Sequence, residues 1–164
     1  MRIRSAAFLA VMGIMFLSAP LTAQNAAQDN PYPPFVIDIP QGWQAAYKAG
    51  SDGVGQSLEL TSPDRAASFS LSLEAVPAKG WAKMVEDLSV RPKPDHSPPN
   101  MQADGSFVVT YNDSVTGMTG RKIYQRLDDR RYLVQTALGF HADLPRLINA
   151  VEIDESARNT DPAS

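Results

Sequence analysis

The sequence predicts an α+β fold in which an antiparallel β-sheet is flanked by two helices. Most segments alternate apolar and polar residues with a period of two, which is typical of strands with one buried face. Two segments change to the spacing of three and four residues that indicates an amphipathic helix. The resulting order is strands, helix, strands, helix, and this segregation favours an antiparallel sheet over an alternating βα fold.

The first half of the chain is predicted to begin with four strands. The alternation is clearest in residues 68–76, where Phe69, Leu71 and Leu73 alternate with serines. Pro40 and Gly42 favour a turn after the first strand, and Pro63 favours a hairpin turn after the third. The four predicted strands are residues 35–39, 43–47, 56–61 and 68–76.

The period changes after Gly80, which indicates a helix. Trp81, Met84, Val85 and Leu88 follow at positions i, i+3, i+4 and i+7, so they form one apolar stripe. Residues 91–100 then contain four prolines, a density that neither a helix nor a central strand tolerates. This segment is predicted to be an ordered crossover loop within one domain.

The second half is predicted to be a meander of three strands followed by the second helix. The strands are residues 106–112, 119–127 and 131–139, separated by turns rich in Asp and Gly. The helix covers residues 143–151 and has Pro145 in its first turn, where a proline is tolerated. Its inward side is predicted to consist of Leu144, Leu147, Ile148 and Val151.

The N-terminus has the order of regions found in secretory signal peptides. Arg2 and Arg4 form a basic start, residues 6–17 are uncharged and apolar, and residues 18–23 are mostly small. We expect cleavage after Ala23 and export to the periplasm or beyond, without a stable membrane span afterwards; the alternative is a retained N-terminal anchor. The domain prediction is a signal peptide (1–23), a flexible lead-in (24–34), a single domain (35–153) and a polar tail (154–164).

Composition excludes several classes of function. The whole chain carries 15 Lys and Arg against 18 Asp and Glu, for a net charge of −3, and loss of Arg2 and Arg4 makes it more acidic. An acidic chain lacks the basic surface on which nucleic-acid binding depends. The chain contains no cysteine, which rules out thiol catalysis, cysteine-bound zinc and iron–sulfur clusters.

The element order and the opening strand resemble the PsbP-like group of α+β domains, which includes DcrB-like periplasmic proteins. The opening is Phe35-Val36-Ile37-Asp38-Ile39-Pro40-Gln41-Gly42-Trp43, and the closing helix runs through Leu144-Pro145-Arg146-Leu147-Ile148-Asn149-Ala150-Val151-Glu152-Ile153. The resemblance covers nearly the whole mature chain. It implies a small accessory or binding domain without catalysis, and it carries over no site residue.

The sequence shows no catalytic or metal-binding motif. His96 and His141 are the only histidines, they lie in separate segments, and neither belongs to a His-x-x-x-His pattern. His96 lies beside Asp95, where a metal or a response to pH is conceivable. No serine occupies a Gly-x-Ser-x-Gly elbow. We therefore predict that the protein is not an enzyme and has no cofactor or metal site.

Four residues are candidates for a surface that meets a partner or a ligand. Lys122, Tyr124 and Arg126 share one face of a predicted strand, and Trp43 follows the Pro-x-Gly turn. The alternatives are a solvated sheet face for the first three residues and a core position for Trp43. The predicted function is that of an exported accessory protein that docks on another envelope protein or complex. The alternative is a periplasmic carrier of a small apolar ligand held between sheet and helix, near Trp43 and Trp81.

Overall fold

A computed structural model describes residues 30–51 and 53–154. The predicted signal peptide, residues 24–29 of the lead-in and residues 155–164 of the tail lie outside the described residues. The elements are β1 (Phe35–Val36), β2 (Gln44–Lys48), β3 (Ser57–Thr61), β4 (Ala67–Ala75), α1 (Trp81–Val90), β5 (Asn100–Met101), β6 (Phe107–Asn112), β7 (Thr119–Arg126), β8 (Arg131–Gly139), α2 (Leu144–Asn149) and β9 (Glu152–Ile153).

Seven of these strands form one antiparallel sheet in the order β2-β3-β4-β8-β7-β6-β5. The central pair joins the two halves of the chain, since β4 and β8 align along their whole length from Ala67 opposite Gly139 to Ala75 opposite Arg131. Strands β1 and β9 pair with each other in a separate two-stranded sheet. The sheet is therefore built from two meanders that meet at its centre.

The predicted α+β class, with a sheet flanked by two helices, is wrong. The described part of the chain is mostly sheet, with 41% of its residues in strands and 13% in helices. Helix α1 has 10 residues and buries none of them fully, and α2 has six. The second helix ends early because the chain turns at Ala150, and Ile153 then pairs with Phe35. Ala150 and Val151, which belong to the predicted helix, lie instead in the turn and in the connection to β9.

The strand predictions agree with the structure better than the helix predictions do. The eighth strand has the predicted bounds of residues 131–139, and the strands near residues 56–61, 68–76 and 119–127 differ from the predicted ones by a residue at one or both ends. The predicted first strand shrinks to Phe35–Val36 and lies outside the main sheet. Residues just before it also contact the domain, because the Tyr32 ring lies 6.0 Å from that of Tyr47.

The main core lies on one face of the sheet. Strands β3, β4 and β8 contribute alternate apolar side chains, and the two fully buried side chains from outside the main sheet are Phe35 and Leu147. Trp43 closes this core and is 7% exposed. The remaining buried residues of this cluster are Leu58, Leu60, Ala67, Phe69, Leu71, Leu73, Leu133, Ala137 and Leu144.

The opposite face of the sheet differs between its two halves. On β3 and β4 it presents Ser57, Ser68, Ser70 and Ser72, which are partly exposed. On β6, β7 and β8 the same face presents large side chains, because Phe107 aligns with Tyr124 and Tyr124 with Val134. Helix α1 lies over this second half only. The two halves therefore differ because the side chains at equivalent positions change from serine to aromatic.

Aspartates hold several of the turns that join the strands. Asp64 accepts a 2.6 Å hydrogen bond from the Ser62 hydroxyl, and Asp104 accepts one of 2.6 Å from Ser106. These bonds, together with bonds from backbone N–H groups, lower the pKa of both carboxyls.

Within residues 30–51 and 53–154, no helix has the length and apolar character needed to cross a membrane.

Candidate functional site

The candidate site is a cavity of about 180 Å³ between α1, the proline-rich loop and the sheet. We call it the α1 cavity. Met84 and Leu88 of the helix form one side, and the strand residues Val109, Tyr124 and Tyr132 form the other. The loop closes the cavity with residues Pro92, Lys93, His96 and Ser97.

Tyr124 and Tyr132 line the floor of the α1 cavity, and the fully buried Phe107 stacks on Tyr124 without lining the cavity itself. The rings of Phe107 and Tyr124 lie 4.5 Å apart and nearly parallel, and Tyr132 lies 6.2 Å from Tyr124. We call these three residues the aromatic floor. Trp81 packs against the floor at 5.4 Å from Phe107 and 5.5 Å from Tyr132. Aromatic stacking and the flat backbone of the strands make this a rigid apolar surface.

Helix α1 does not fill the space above the floor. It begins at Trp81 after Gly80, which provides no side-chain cap, and it buries none of its residues fully. Met84 and Leu88 point towards the cavity but remain partly exposed. The helix and the floor therefore leave an open, mostly apolar space between them.

The loop holds its place by pairing with the edge of the sheet. The Ser97 N–H donates to the Thr110 carbonyl at 2.8 Å, and the Asn112 N–H donates to the Asp95 carbonyl at 3.0 Å. Between these bonds the His96 ring stacks on Tyr111 at 5.1 Å. The residues of the loop that line the cavity are thus fixed by backbone hydrogen bonds despite the prolines.

Two lysines lie beside the cavity, and we call Lys93 and Lys122 the charged rim. Lys122 of β7 does not line the cavity itself, but it lies opposite Val109 and two residues before Tyr124, which both do. Lys93 lines the cavity, and the Lys122 Nζ lies 5.2 Å from the centre of the Tyr111 ring. Burial lowers the pKa of Lys122, and the positive charge of Lys93 lowers it further. Neither lysine forms an ion pair with a residue that the structure describes.

The four residues predicted from the sequence are only partly brought together. Lys122 and Tyr124 contribute to the rim and the floor of one site. Arg126 is on the same face but lies at the end of β7, where it pairs with Asp129. Trp43 belongs to the main core, where its Nε1 donates to Asp143 at 3.2 Å and its ring meets the edge of His141. Trp43 and Trp81 therefore do not line a common site.

Sequence reasoning missed most of the cavity lining. The helical spacing places Met84 and Leu88 on an apolar stripe, and no motif of the sequence singles out Lys93 or Tyr132. A signal for Tyr132 exists in the sequence, since it alternates with the buried Leu133 on β8 and so faces the side opposite the main core. Nothing in the sequence indicated that the loop at Lys93 turns towards that side.

A second concave surface lies at the other face of β7 and β8, and we call it the Phe140 groove. Its volume is about 320 Å³, and it lies between the ends of these strands and α2. Phe140 at its border is 88% exposed, which is unusual for so large an apolar side chain. The other residues of the groove are Thr110, Thr119, Gly120, Arg121, Ala137, Gly139, His141, Leu144, Pro145 and Ile148.

The histidines do not meet in the folded chain. His96 stacks on Tyr111 beside the α1 cavity, and His141 contacts Trp43 and Asp143 near α2. No group of three or more His, Cys, Asp or Glu side chains suited to a metal ion occurs within the described part of the chain.

No protein-family model and no curated protein matches this sequence, so the resemblance to the PsbP-like group stays a prediction.

Proposed function

We propose that this protein is an exported, non-catalytic binding protein that takes a small apolar ligand into the α1 cavity. The observation that carries the proposal is an apolar space of about 180 Å³ with an aromatic floor. Apolar cavities of about 150 Å³ are large enough to bind benzene. A ligand with one aromatic ring, or a short alkyl chain, therefore matches the space in size and in polarity.

The loose packing of α1 supports the same proposal. The side chains of Met84 and Leu88 are half-exposed and do not pack fully against the sheet. A ligand under the helix gains contacts with both of them. The main core on the other face does not take part, because its cluster contains no residue of α1. Binding and release are therefore expected to leave the main core undisturbed.

The two tryptophans provide the test, since Trp81 adjoins the cavity and Trp43 does not. The probe is para-iodophenylethanol, whose iodine quenches tryptophan emission at contact. In the Trp43→Phe variant, titration is expected to quench Trp81 with a dissociation constant on the order of 1 mM, given the small number of atoms buried. In the Trp81→Phe variant, the emission of Trp43 is expected to remain unchanged.

A matched pair of substitutions on α1 locates the binding. Leu88→Glu places a charge in the cavity and is expected to weaken binding of the probe about ten-fold or more. Ala82→Glu adds the same charge on the exposed side of the same helix, so it should leave binding intact. Equal quenching of both tryptophans, or equal effects of the two glutamates, would contradict binding in the α1 cavity.

Docking on another envelope protein is a second proposal, and the exposed Phe140 favours it. An aromatic side chain that is 88% exposed beside a groove resembles the anchor residues of protein interfaces. The groove adjoins α2 on the face of the sheet that does not carry the α1 cavity. The two proposals therefore concern separate surfaces.

Phe140→Ser is expected to abolish recovery of the partner after mild cross-linking in the native envelope, with unchanged stability of the domain. Val115→Ser is the control, because Val115 is 90% exposed and does not line the groove. A partner recovered equally with both variants would contradict docking through Phe140.

A further inference from the structure

We propose that the ligand of the α1 cavity is an apolar carboxylate, with its ring or chain on the aromatic floor and its carboxylate at the charged rim. This inference rests on the proposed function, and it adds the charge of the ligand and its orientation. The two parts of the site that carry it are the apolar lining under α1 and the lysine pair formed by Lys93 and Lys122.

The two lysines of the charged rim have no negatively charged partner among the described residues. Lys93 lines the cavity, and Lys122 lies opposite the lining residue Val109 on the neighbouring strand. The positive charge of Lys93 lowers the pKa of Lys122. Lys122 is half-buried beside Tyr111, so it has lost part of its hydration without gaining an ion pair among the described residues. An anion between the two ammonium groups removes their repulsion and replaces the lost water.

The aromatic side chains at the rim do not supply that anion. The His96 Nδ1–H donates to the Pro94 carbonyl at 3.0 Å, and the His96 ring stacks on Tyr111. Burial raises the pKa of Tyr111 and of Tyr124, so both phenols stay neutral near pH 7. The rim therefore presents positive charge that the surrounding aromatic side chains do not neutralise.

The shape of the site sets the direction of the ligand. A groove along α1 shares Met84, Leu88 and Lys93 with the α1 cavity, so the cavity meets solvent near the charged rim. A charged group costs less to bind at such an opening than under the helix. The lining contains no arginine, so the positive charge near the opening comes from lysine ammonium groups, which bind a carboxylate as point charges.

The experiment compares para-iodophenylacetate with para-iodophenylethanol in the full mature chain. Quenching of Trp81 is followed with the Trp43→Phe variant at low salt. The carboxylate is expected to bind roughly three- to ten-fold more tightly than the alcohol, since each partly exposed ion pair contributes modestly. In the double variant Lys93→Gln/Lys122→Gln, the carboxylate and the alcohol should bind with about equal affinity. Lys48→Gln, at an exposed lysine on the far edge strand β2, should leave the preference unchanged.

The outcomes separate the inference from the proposed function. Equal affinity for the carboxylate and the alcohol overturns the inference but leaves the binding function in place. A preference that survives in the double glutamine variant also overturns it, because another group must then hold the charge. If neither probe quenches Trp81, the proposed function and the inference fall together.

Discussion

Phe69→Ala is expected to lower the free energy of unfolding by about 3–5 kcal/mol. Phe69 is fully buried on the central strand β4, between Leu60 of β3 and Ala137 of β8. Truncation removes most of a large apolar side chain and leaves a void that the rigid sheet cannot close. Because small domains are stable by only about 5–15 kcal/mol, this single change should move the urea midpoint greatly.

Phe140→Ala is the matched control for this measurement, since the chemistry is the same and Phe140 is 88% exposed. Its effect on the free energy of unfolding should stay within about 0.5 kcal/mol. Similar losses for the two alanine variants would show that the core is not where the structure places it. Chemical unfolding followed by circular dichroism provides both values.

Gly139→Ala is expected to cost about 3 kcal/mol or more. Gly139 ends β8 with a φ of +79°, and a Cβ there would lie 2.1 Å from the Ala66 carbonyl oxygen. The positive φ alone costs about 1–2 kcal/mol for an alanine. The overlap adds to this cost because Ala66 adjoins the first pair of the β4–β8 ladder, Ala67 opposite Gly139, so relief of the overlap separates the central strands.

Gly117→Ala isolates the backbone contribution to that cost. Gly117 has a φ of +71°, and a Cβ there meets nothing within 4 Å. Its loss of stability should therefore be limited to about 1–2 kcal/mol. If the alanine variants at positions 117 and 139 lose equal stability in urea unfolding, the close approach of Ala66 to Gly139 is contradicted.

The substitutions expected to lower stability most lie away from the α1 cavity. The residues with the largest expected effects belong to the main core and to the central strand pair, on the side of the sheet away from α1. The α1 cavity is lined by half-exposed residues from the helix and loop and by a face of strands that the main core does not use. Substitutions at Leu88, Lys93 or Lys122 can therefore change binding while the domain remains folded.

Alternation of side chains was enough to locate the long strands. The alternation of Phe69, Leu71 and Leu73 with polar residues predicts β4, because the period of two is a local property of every strand. The same rule places Lys122 and Tyr124 on one face of β7. The absence of cysteine and the acidic composition likewise follow from the residues alone.

The helices were harder to judge, because a helical stripe shows which residues are apolar but not how much they bury. Trp81, Met84, Val85 and Leu88 have the spacing of a core helix, yet none is fully buried. Leu144 and Leu147 do face the core, but pairing of Ile153 with Phe35 draws the chain out of the helix after Asn149. The fold class was wrong for this reason.

Local alternation and composition are enough to predict the long strands, their buried faces and the absence of cysteine chemistry. The folded structure is needed to show that Lys93 lines the same cavity as Tyr124 and Tyr132, that Phe107 stacks on Tyr124, and that Trp43 belongs to the main core instead. The site joins residues from the loop and three strands. Its formation depends on strand order and on the course of the loop, which long-range pairing sets and local periodicity does not.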